Sequence, residues 1–440
     1  MAEQTFRTAM RTTDIIVTAQ FSPAAVVAIG LADLYARFPL RIGLGLGGGA
    51  IALSSQDTGA AAAANRDEAV TQALLMGVLA GIPFVLVGLL FGEPIVALLG
   101  ADARTAALGG QYLALVFATA PARHVALVGA RSLQGTGDTR TPMYVNVLAN
   151  TLNISGSLVL GLGLFGAPRL EILGVGVATA AANVLTAGLL VLAMATSWAD
   201  ASLVRPRDTT IARQLVRVSV PRVLEGFSAT IAEFPFNALL LGFGTPVNAG
   251  FQIGRRMYQQ VTGPLSRGYN VAASVLVGQS LGDGDPDAAR YDGYAVTGLG
   301  LATVGVVGLA LVVAAPAFVS VFTPDPATVP HAVAFARVYG ATAAFLVAYT
   351  VLSGALQGAS ETRIPLGARL VGTFGFLLGT TYLVGVVLGY GPAGAYLGVG
   401  LQYVCMALVV LWGFRATGWA SRAAEMMAER GTGADGPEGS

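Results

Sequence analysis

Apolar stretches of about 20 residues or more recur along the whole chain, and short polar connections separate them. A helix needs about 20 apolar residues to cross the hydrocarbon core of a bilayer. The pattern predicts about twelve spans, at roughly residues 5–21, 24–54, 69–92, 104–132, 142–164, 172–197, 212–242, 246–279, 288–316, 328–357, 365–388 and 394–416. We therefore expect an all-α polytopic membrane protein.

Two segments of the chain are near copies of each other. Leu133–Pro142 and Leu356–Pro365 share their Leu, Gln, Gly, Thr, Arg and Pro residues at a fixed offset of 223 positions. The same offset aligns Gln56 with Gln279, without a gap. An internal repeat in a very apolar chain is typical of secondary transporters. It predicts two matching six-helix bundles.

The repeat also predicts how the chain is divided. We expect an amino-terminal bundle over residues 1–197, a cytoplasmic linker over 198–210, a carboxy-terminal bundle over 211–416 and a cytoplasmic tail over 417–440. Arginines concentrate in the connections and tails on one side, so the positive-inside rule places both termini in the cytoplasm. The expected location is the plasma membrane, crossed many times.

The first span is expected to be shortened. At the repeat offset Met1 aligns with Leu224, which lies well inside the seventh span. The remaining apolar core, Ile15–Phe21, is too short to cross a bilayer as an ordinary helix. Either the natural start lies upstream of Met1, or the first helix is naturally truncated.

Composition narrows the class of protein further. The chain is 54% hydrophobic and 11% charged, with a mean hydropathy of +0.68, whereas soluble domains carry about 25% charged residues. A net charge of +1 argues against nucleic-acid binding. The sequence has no phosphate-binding G-x-x-x-x-G-K-[ST] motif and no clustered nucleophile and base, so neither an ATP-driven pump nor an enzyme is expected. His124 and His331 are isolated in sequence, and no metal or resident cofactor is expected.

Three sets of residues resemble one transporter family. They are the two Leu-Gln-Gly…Thr-Arg-x-Pro copies, Ala273–Asp285 and Gly174–Thr179. In combination they resemble the MATE (multidrug and toxic compound extrusion) family of cation-coupled efflux transporters. The resemblance implies a monomer in the lipid bilayer. It also implies that amphipathic or cationic drug-like compounds are exported by alternating access, in exchange for H⁺ or Na⁺.

The resemblance also implies an ion-coupling site. Asp14 matches the acid of the family's Val-Asp-Thr segment, and Asn153 matches the Asn of its Asn-x-x-x-Asp pattern, in which Ser157 here replaces the second acid. Thr179 matches a position that contributes an oxygen in some members. With one carboxylate instead of two, the choice between H⁺ and Na⁺ stays open. As an alternative, Asp14 lies near the membrane surface and pairs with an arginine.

A second acidic site is a further candidate. Glu225 and Glu233 are eight residues apart in the seventh span, so they share nearly one helix face. Arg255 and Arg256 are possible partners, because unpaired buried charge is very costly. Structural ion pairs and a second coupling site both fit the sequence. A family glutamate in this span aligns near Ala229, so its role is not transferred.

Aromatic and amide side chains suggest a substrate cavity. Tyr35 and Tyr258 are equivalent in the repeat, and Asn237 takes the place of Asp14 in the second half. Aromatic faces attract organic cations, although such residues more often serve packing. A lipid-linked oligosaccharide flippase of related fold and an inactive truncated transporter are the alternative functions. The mixed charges favour efflux, because a flippase would need a markedly basic cavity.

Overall fold

The computed structural model describes residues 17–18, 20–196 and 198–434, with side chains up to residue 430. All regular elements in these ranges are helical. The predicted all-α fold is confirmed. The bilayer core offers no partner for an unpaired backbone group, so the apolar runs stay helical. The helices end in the connections, which are rich in Gly, Pro and polar residues.

Fifteen helices can be followed within the described ranges. They are α1 Pro23–Gly59, α2 Ala63–Ala97, α3 Ala103–Ala118, α4 Ala120–Gly135, α5 Arg140–Leu162, α6 Ile172–Ala195, α7 Thr209–Phe243, α8 Thr245–Val261, α9 Gly263–Gly282, α10 Pro286–Phe322, α11 Val329–Ala341, α12 Ala343–Gly358, α13 Arg363–Val387, α14 Pro392–Ala416 and α15 Trp419–Ala434. Eight are long and apolar enough to span a membrane, and the total is ten when each of two bent pairs is counted as one span.

Both bent pairs break at positions that are equivalent in the repeat. The axes of α3 and α4 meet at 47° around Thr119, and those of α11 and α12 meet at 50° around Thr342. In the first pair, Pro121 occupies the first turn of α4, where its missing N–H leaves no helical hydrogen bond unmade. The two positions differ by the same 223 residues as the sequence copies, so the duplication extends to the helix breaks.

The segments that lead into the two bent pairs contain equivalent hydrogen bonds. Asp102 accepts hydrogen bonds from the backbone and hydroxyl of Thr105 at the start of α3. Asp325 does the same for Thr328 in the segment that leads into α11. The Thr105 and Thr328 hydroxyls hold the pKa values of these two exposed carboxyls below their usual range.

The eighth predicted span is two helices instead of one. The sequence pattern predicts a continuous span over 246–279, but α8 ends at Val261 and α9 begins at Gly263. Pro264 lies in the first turn of α9 and cannot donate a backbone hydrogen bond to the preceding turn. Thr262 lies between the two helices, and its hydroxyl donates a hydrogen bond to the carbonyl of Tyr258 at 2.8 Å.

Packing divides the chain into two compact units. The first unit lies within Met1–Ser54 and Ala62–Ser219, and the second lies within Ser55–Ala61 and Val220–Thr432. The carboxyl end of α1 therefore belongs to the second unit. There the Gln56 amide donates to the carbonyl of Gly358 at 2.7 Å.

The second unit also includes a helix from the predicted tail. The sequence predicts residues 417–440 as a tail, and the structure places α15 against the rest of this unit. The Trp419 indole donates to the carbonyl of Phe414 at 2.7 Å. Arg430 is fully buried, and its guanidinium lies 2.9 Å from the Asp57 carboxylate. A buried charge requires such a partner, so this pair fixes where α15 docks.

Candidate functional site

The predicted ion-coupling residues fall in the first unit, and three of the four can be located. Asp14 lies outside the described residues. Asn153 and Ser157 follow one turn apart on α5 and are buried, with exposures of 1% and 0%. Thr179 on α6 faces them, and its hydroxyl lies 3.3 Å from the Asn153 amide nitrogen. The structure therefore brings Asn153 and Thr179 together, with Ser157 on the same helix face as Asn153.

This group of oxygens has a free acceptor. The Asn153 side-chain carbonyl is buried and receives no hydrogen bond from any described residue. Leaving a buried acceptor unmet costs about 1–3 kcal/mol, so such an atom usually has a ligand, a water molecule or an ion in the working state. Amide and hydroxyl oxygens are suitable ligands for a hard cation or acceptors for a proton donor. They carry no net charge, so a tightly held cation needs a carboxylate in addition.

Glu225 on α7 is enclosed by cationic and hydroxyl groups in the second unit. Its carboxylate lies 2.6 Å from the Arg222 guanidinium and 3.7 Å from that of Arg369. The Tyr349 hydroxyl donates to Oε1, the oxygen that faces Arg369, whereas Arg222 contacts Oε2. The Arg369 guanidinium in turn lies over the Tyr349 ring, 4.9 Å from its centroid. Two arginines and a tyrosine compensate one buried carboxylate, which is the environment of a fixed ion pair.

Glu233, two turns further along α7, is more open. Its side chain is 34% exposed, and its carboxylate lies 3.1 Å from Arg255 on α8. Arg255 also donates to the Gln252 side-chain oxygen at 3.0 Å, and Gln252 donates to Asn237 at 2.9 Å. The predicted residues Glu233 and Asn237 thus belong to one polar network. Of the two arginines considered from the sequence, Arg255 is the partner.

The two tyrosines that are equivalent in the repeat have different surroundings. Tyr35 in the first unit donates its hydroxyl to the carbonyl of Ile95 at 2.9 Å. Tyr258 in the second unit stacks on Tyr339, with ring centroids 5.3 Å apart, and Tyr403 lies beside them. The buried Tyr258 hydroxyl has no hydrogen-bond partner among the described residues. Within the part of the chain that the structure describes, Tyr258 belongs to an aromatic cluster and Tyr35 does not.

The contacts of Glu225 with Arg369 and Tyr349 were not predicted from the sequence. Arg369 and Tyr349 come from helices far along the chain from Glu225, so no local spacing links them. Arg222 was within reach of sequence reasoning, since it precedes Glu225 by three residues on the same helix face. The described residues contain no group of three or more His, Cys, Asp or Glu that could hold a metal ion.

A separate apolar cavity lies in the first unit. It has a volume of about 280 Å³ and is lined by Leu75, Met76 and Leu79 of α2 and by the segment that leads into α7. None of the predicted site residues lines it. Its lining includes Leu75 and Leu79, whose exposed side chains on α2 would face lipid in a bilayer, so we do not assign the transport site to it.

Comparison with known proteins identifies relatives over most of the chain. The family model described as MatE matches residues 1–159 and 221–390. A probable multidrug resistance protein NorM from Rhodopseudomonas palustris is 30% identical over 420 residues, which cover 92% of this chain and 87% of the relative. The protein of the same name from Bradyrhizobium diazoefficiens is 30% identical over 430 residues, with 93% and 90% covered.

Solved structures give the same fold. The crystal structure of a MATE protein in the straight conformation superposes with a TM-score of 0.87 over 97% of this chain and 94% of that chain. The two sequences are 19% identical. At this identity the likeness supports the helical arrangement and not the identity of a substrate or an ion.

Proposed function

The chain belongs to the MatE family, and we propose that it exports amphipathic, often cationic organic compounds in exchange for H⁺ or Na⁺. Its curated relatives carry the name multidrug resistance protein, which supports efflux as the general activity. The family resemblance expected from the repeated motifs is confirmed. The fold is that of a multi-pass membrane transporter, and we place it in the plasma membrane with both termini in the cytoplasm.

The observation that carries the coupling proposal is the unmet Asn153 oxygen beside Thr179 and Ser157. We assign the coupling ion to these residues together with Asp14. The three described side chains supply neutral oxygens, and Asp14 supplies the charge that holds H⁺ or Na⁺. Binding can drive transport only if the ion binds one conformation more tightly than the other. A site built from residues on separate helices meets this condition, since helix separation changes the ligand distances.

In the second unit we assign different roles to the two glutamates. Glu225 is held by two arginines and a tyrosine and serves as a structural ion pair. The Glu233 carboxylate lies 3.1 Å from Arg255 and its side chain is 34% exposed, so a cationic substrate can compete with Arg255 for it. Tyr258 supplies an aromatic face in the same unit, and aromatic faces attract organic cations.

A dye-transport assay tests this proposal. Purified protein in liposomes is given an imposed H⁺ or Na⁺ gradient, and the movement of a fluorescent organic cation is measured. The wild type should move the dye under one of the two gradients, and Asp14→Asn should abolish gradient-driven movement while dye binding remains. Glu233→Gln is the matched substitution in the second unit and should weaken dye binding instead.

Other results would change the assignment of the coupling site or of the function. Gradient-driven transport that survives Asp14→Asn moves the coupling site away from the first unit. A wild type that moves no dye under either gradient contradicts the efflux proposal. Translocation of a lipid-linked oligosaccharide in the same liposomes would then favour the flippase alternative, and its absence would favour an inactive transporter.

A further inference from the structure

One buried ionisable side chain in the first unit takes no part in the proposed coupling site. His124 on α4 is fully buried. Its Nε2 lies 2.7 Å from the carbonyl oxygen of Pro39 on α1, and its Nδ1 lies 3.0 Å from that of Gly77 on α2. The imidazole therefore bridges three helices through two backbone carbonyls.

The ring occupies a slot that Gly43 provides. A Cβ atom at Gly43 on α1 would lie 2.8 Å from the His124 ring, and one at Gly77 would lie 3.4 Å from the His124 Cβ. Phe84 closes another side, edge to face, with ring centroids 6.3 Å apart. The 2.8 Å distance leaves no room for a side chain at Gly43, so this glycine lets the α1 backbone approach the ring, whereas 3.4 Å at Gly77 is an ordinary contact.

This geometry conflicts with a neutral ring. A neutral imidazole has one N–H, and its other nitrogen presents a lone pair. Both of its neighbours here are carbonyl oxygens, which can only accept. In either neutral tautomer one ring nitrogen therefore faces an oxygen with no hydrogen between them. Only the imidazolium, with two N–H groups, donates to Pro39 and Gly77 at the same time.

Burial and neighbouring charge act in the opposite direction. A buried cation without an anionic partner is costly. The ionisable groups of the three helices are Arg123 and Arg131 on α4, Asp33, Arg37, Arg41 and Asp57 on α1, and Arg66, Asp67, Glu68 and Glu93 towards the ends of α2. Arg123 is adjacent in sequence and disfavours the imidazolium. The two carbonyls favour the imidazolium as long as both lie within hydrogen-bond distance of the ring. The more stable form of the ring therefore depends on how closely α1 and α2 approach α4.

We propose that His124 is a second proton-binding site of this transporter, which holds α1 and α2 against α4 when it is protonated. On deprotonation, the Nδ1–H bond breaks and the proton leaves for water. Nε2–H keeps the shorter contact to the Pro39 carbonyl, and the Gly77 carbonyl loses its donor. The contact of α2 with the ring then weakens. This inference rests on the proposed function, because it adds a group to a proton-coupled cycle.

The first test reads the protonation state directly. The sequence contains two histidines, so protein labelled with ¹⁵N in its histidine rings, carrying a histidine-free affinity tag, gives two sets of ring signals. His331→Gln removes one of the two rings and so assigns the remaining signals to His124. His331 lies in the second unit beside the Tyr396 hydroxyl. In liposomes titrated from about pH 5 to 8, His124 should pass from two protonated nitrogens to one. A single neutral tautomer over the whole range would falsify the proposal.

The second test measures transport. His124→Gln keeps a side-chain N–H donor but cannot take up a second proton. It should lower ΔpH-driven dye transport about 10-fold and flatten its pH profile, an effect of the usual size for coupling between sites. His331→Gln should leave the rate and profile unchanged. A His124→Gln profile equal to that of the wild type contradicts the inference.

The two tests separate this inference from the proposed function. If the wild-type protein moves no dye, the function is contradicted, while the NMR titration still decides whether His124 binds a proton. If dye is transported and the ring stays neutral, the function stands and the inference is wrong. The titration needs no His124 variant, so a folding defect in His124→Gln cannot obscure the outcome.

Discussion

The two units share one helical plan but differ in their interiors. Asp102 and Asp325 accept equivalent hydrogen bonds from Thr105 and Thr328, and Thr119 and Thr342 mark equivalent breaks. Charged residues of the second unit such as Arg369 and Arg255 have uncharged residues at the equivalent positions of the first unit. At the repeat offset, Arg369, Tyr349 and Arg255 align with Asn146, Ala126 and Ala32. The duplication thus kept the elements that shape the helices, and the buried charged groups were free to differ.

This difference indicates how the work is divided. The second unit contains ion pairs that compensate each other, as at Glu225 with Arg222. Such pairs hold helices in place and respond little to a single added charge. The first unit instead presents neutral oxygens at Asn153 and Thr179 and a histidine between two carbonyls. A proton or cation that enters this unit changes its charge balance strongly, so we expect the ion to act there.

The largest effect should follow from removing Glu225. Glu225→Ala leaves Arg222 and Arg369 close together without a carboxylate, and breaking a buried pair in this way costs about 3–5 kcal/mol. Asn153→Ala in the first unit removes one hydrogen bond and should cost about 1 kcal/mol. Thermal unfolding of both variants in the same detergent measures the difference. Equal losses would mean that the second unit does not depend on its charges.

An intermediate effect is expected at the duplicated motif glycine. A Cβ at Gly358 would lie 2.2 Å from the backbone oxygen of Ser274, whereas one at Gly135 would lie 1.9 Å from the Ser54 hydroxyl. The Ser54 hydroxyl can rotate away, which leaves the Ile51 backbone oxygen at 3.0 Å, whereas the Ser274 oxygen at 2.2 Å is backbone and cannot rotate. Gly358→Ala should therefore cost about 3 kcal/mol and Gly135→Ala about 1 kcal/mol, within the range for overpacking.

The same unfolding assay tests this order. Gly367→Ala is the matched control, because a Cβ at Gly367 meets no atom within 4 Å. It should leave the unfolding temperature close to that of the wild type. A larger loss for Gly135→Ala than for Gly358→Ala would show that the first unit is the more tightly packed at this motif.

The smallest effect concerns the paired helix caps. Hydrogen bonds from Thr105 and Thr328 lower the pKa values of Asp102 and Asp325 in the folded protein. The stabilisation is therefore present above the unfolded carboxyl pKa of about 3.9 and is lost as pH falls through the lowered folded values. Asp102→Asn and Asp325→Asn keep a capping oxygen but should remove part of this acid dependence, equally in both units. Unequal slopes of unfolding temperature against pH between about 2 and 5 would contradict the equivalence of the caps.

Much of the fold follows from the sequence because the bilayer restricts the possibilities. Apolar runs long enough to span predict helices, since every backbone group in hydrocarbon must be paired within the helix. The repeat predicts two similar halves, and the equivalent breaks at Thr119 and Thr342 agree with it. The break at Thr262 was missed although the stretch around it, Arg255–Gly268, is largely polar and Pro264 was a visible signal.

The candidate site could be predicted only in part. Matching to family motifs indicated Asn153 and Thr179, and the structure brings them together. The coupling role of these residues, with Ser157 and Asp14, stays a prediction. Of the arginine partners, Arg255, which meets Glu233, was predicted from the sequence. Arg369, which meets Glu225, was not. Arg369 reaches Glu225 through the packing of helices that are distant in sequence, which no local period reveals.

The sequence by itself determined that this is a duplicated, all-helical membrane transporter of the MatE family. Hydropathy is a local pattern, and the repeat is found by comparing the chain with itself. Both can therefore be read from the sequence alone. Only the tertiary structure decided which buried polar groups meet. It showed that Glu225 meets Arg369 and Tyr349, that Arg430 is buried against Asp57 and that His124 lies between two carbonyls. Those contacts join helices far apart in sequence, so their energies depend on distances that only packing sets.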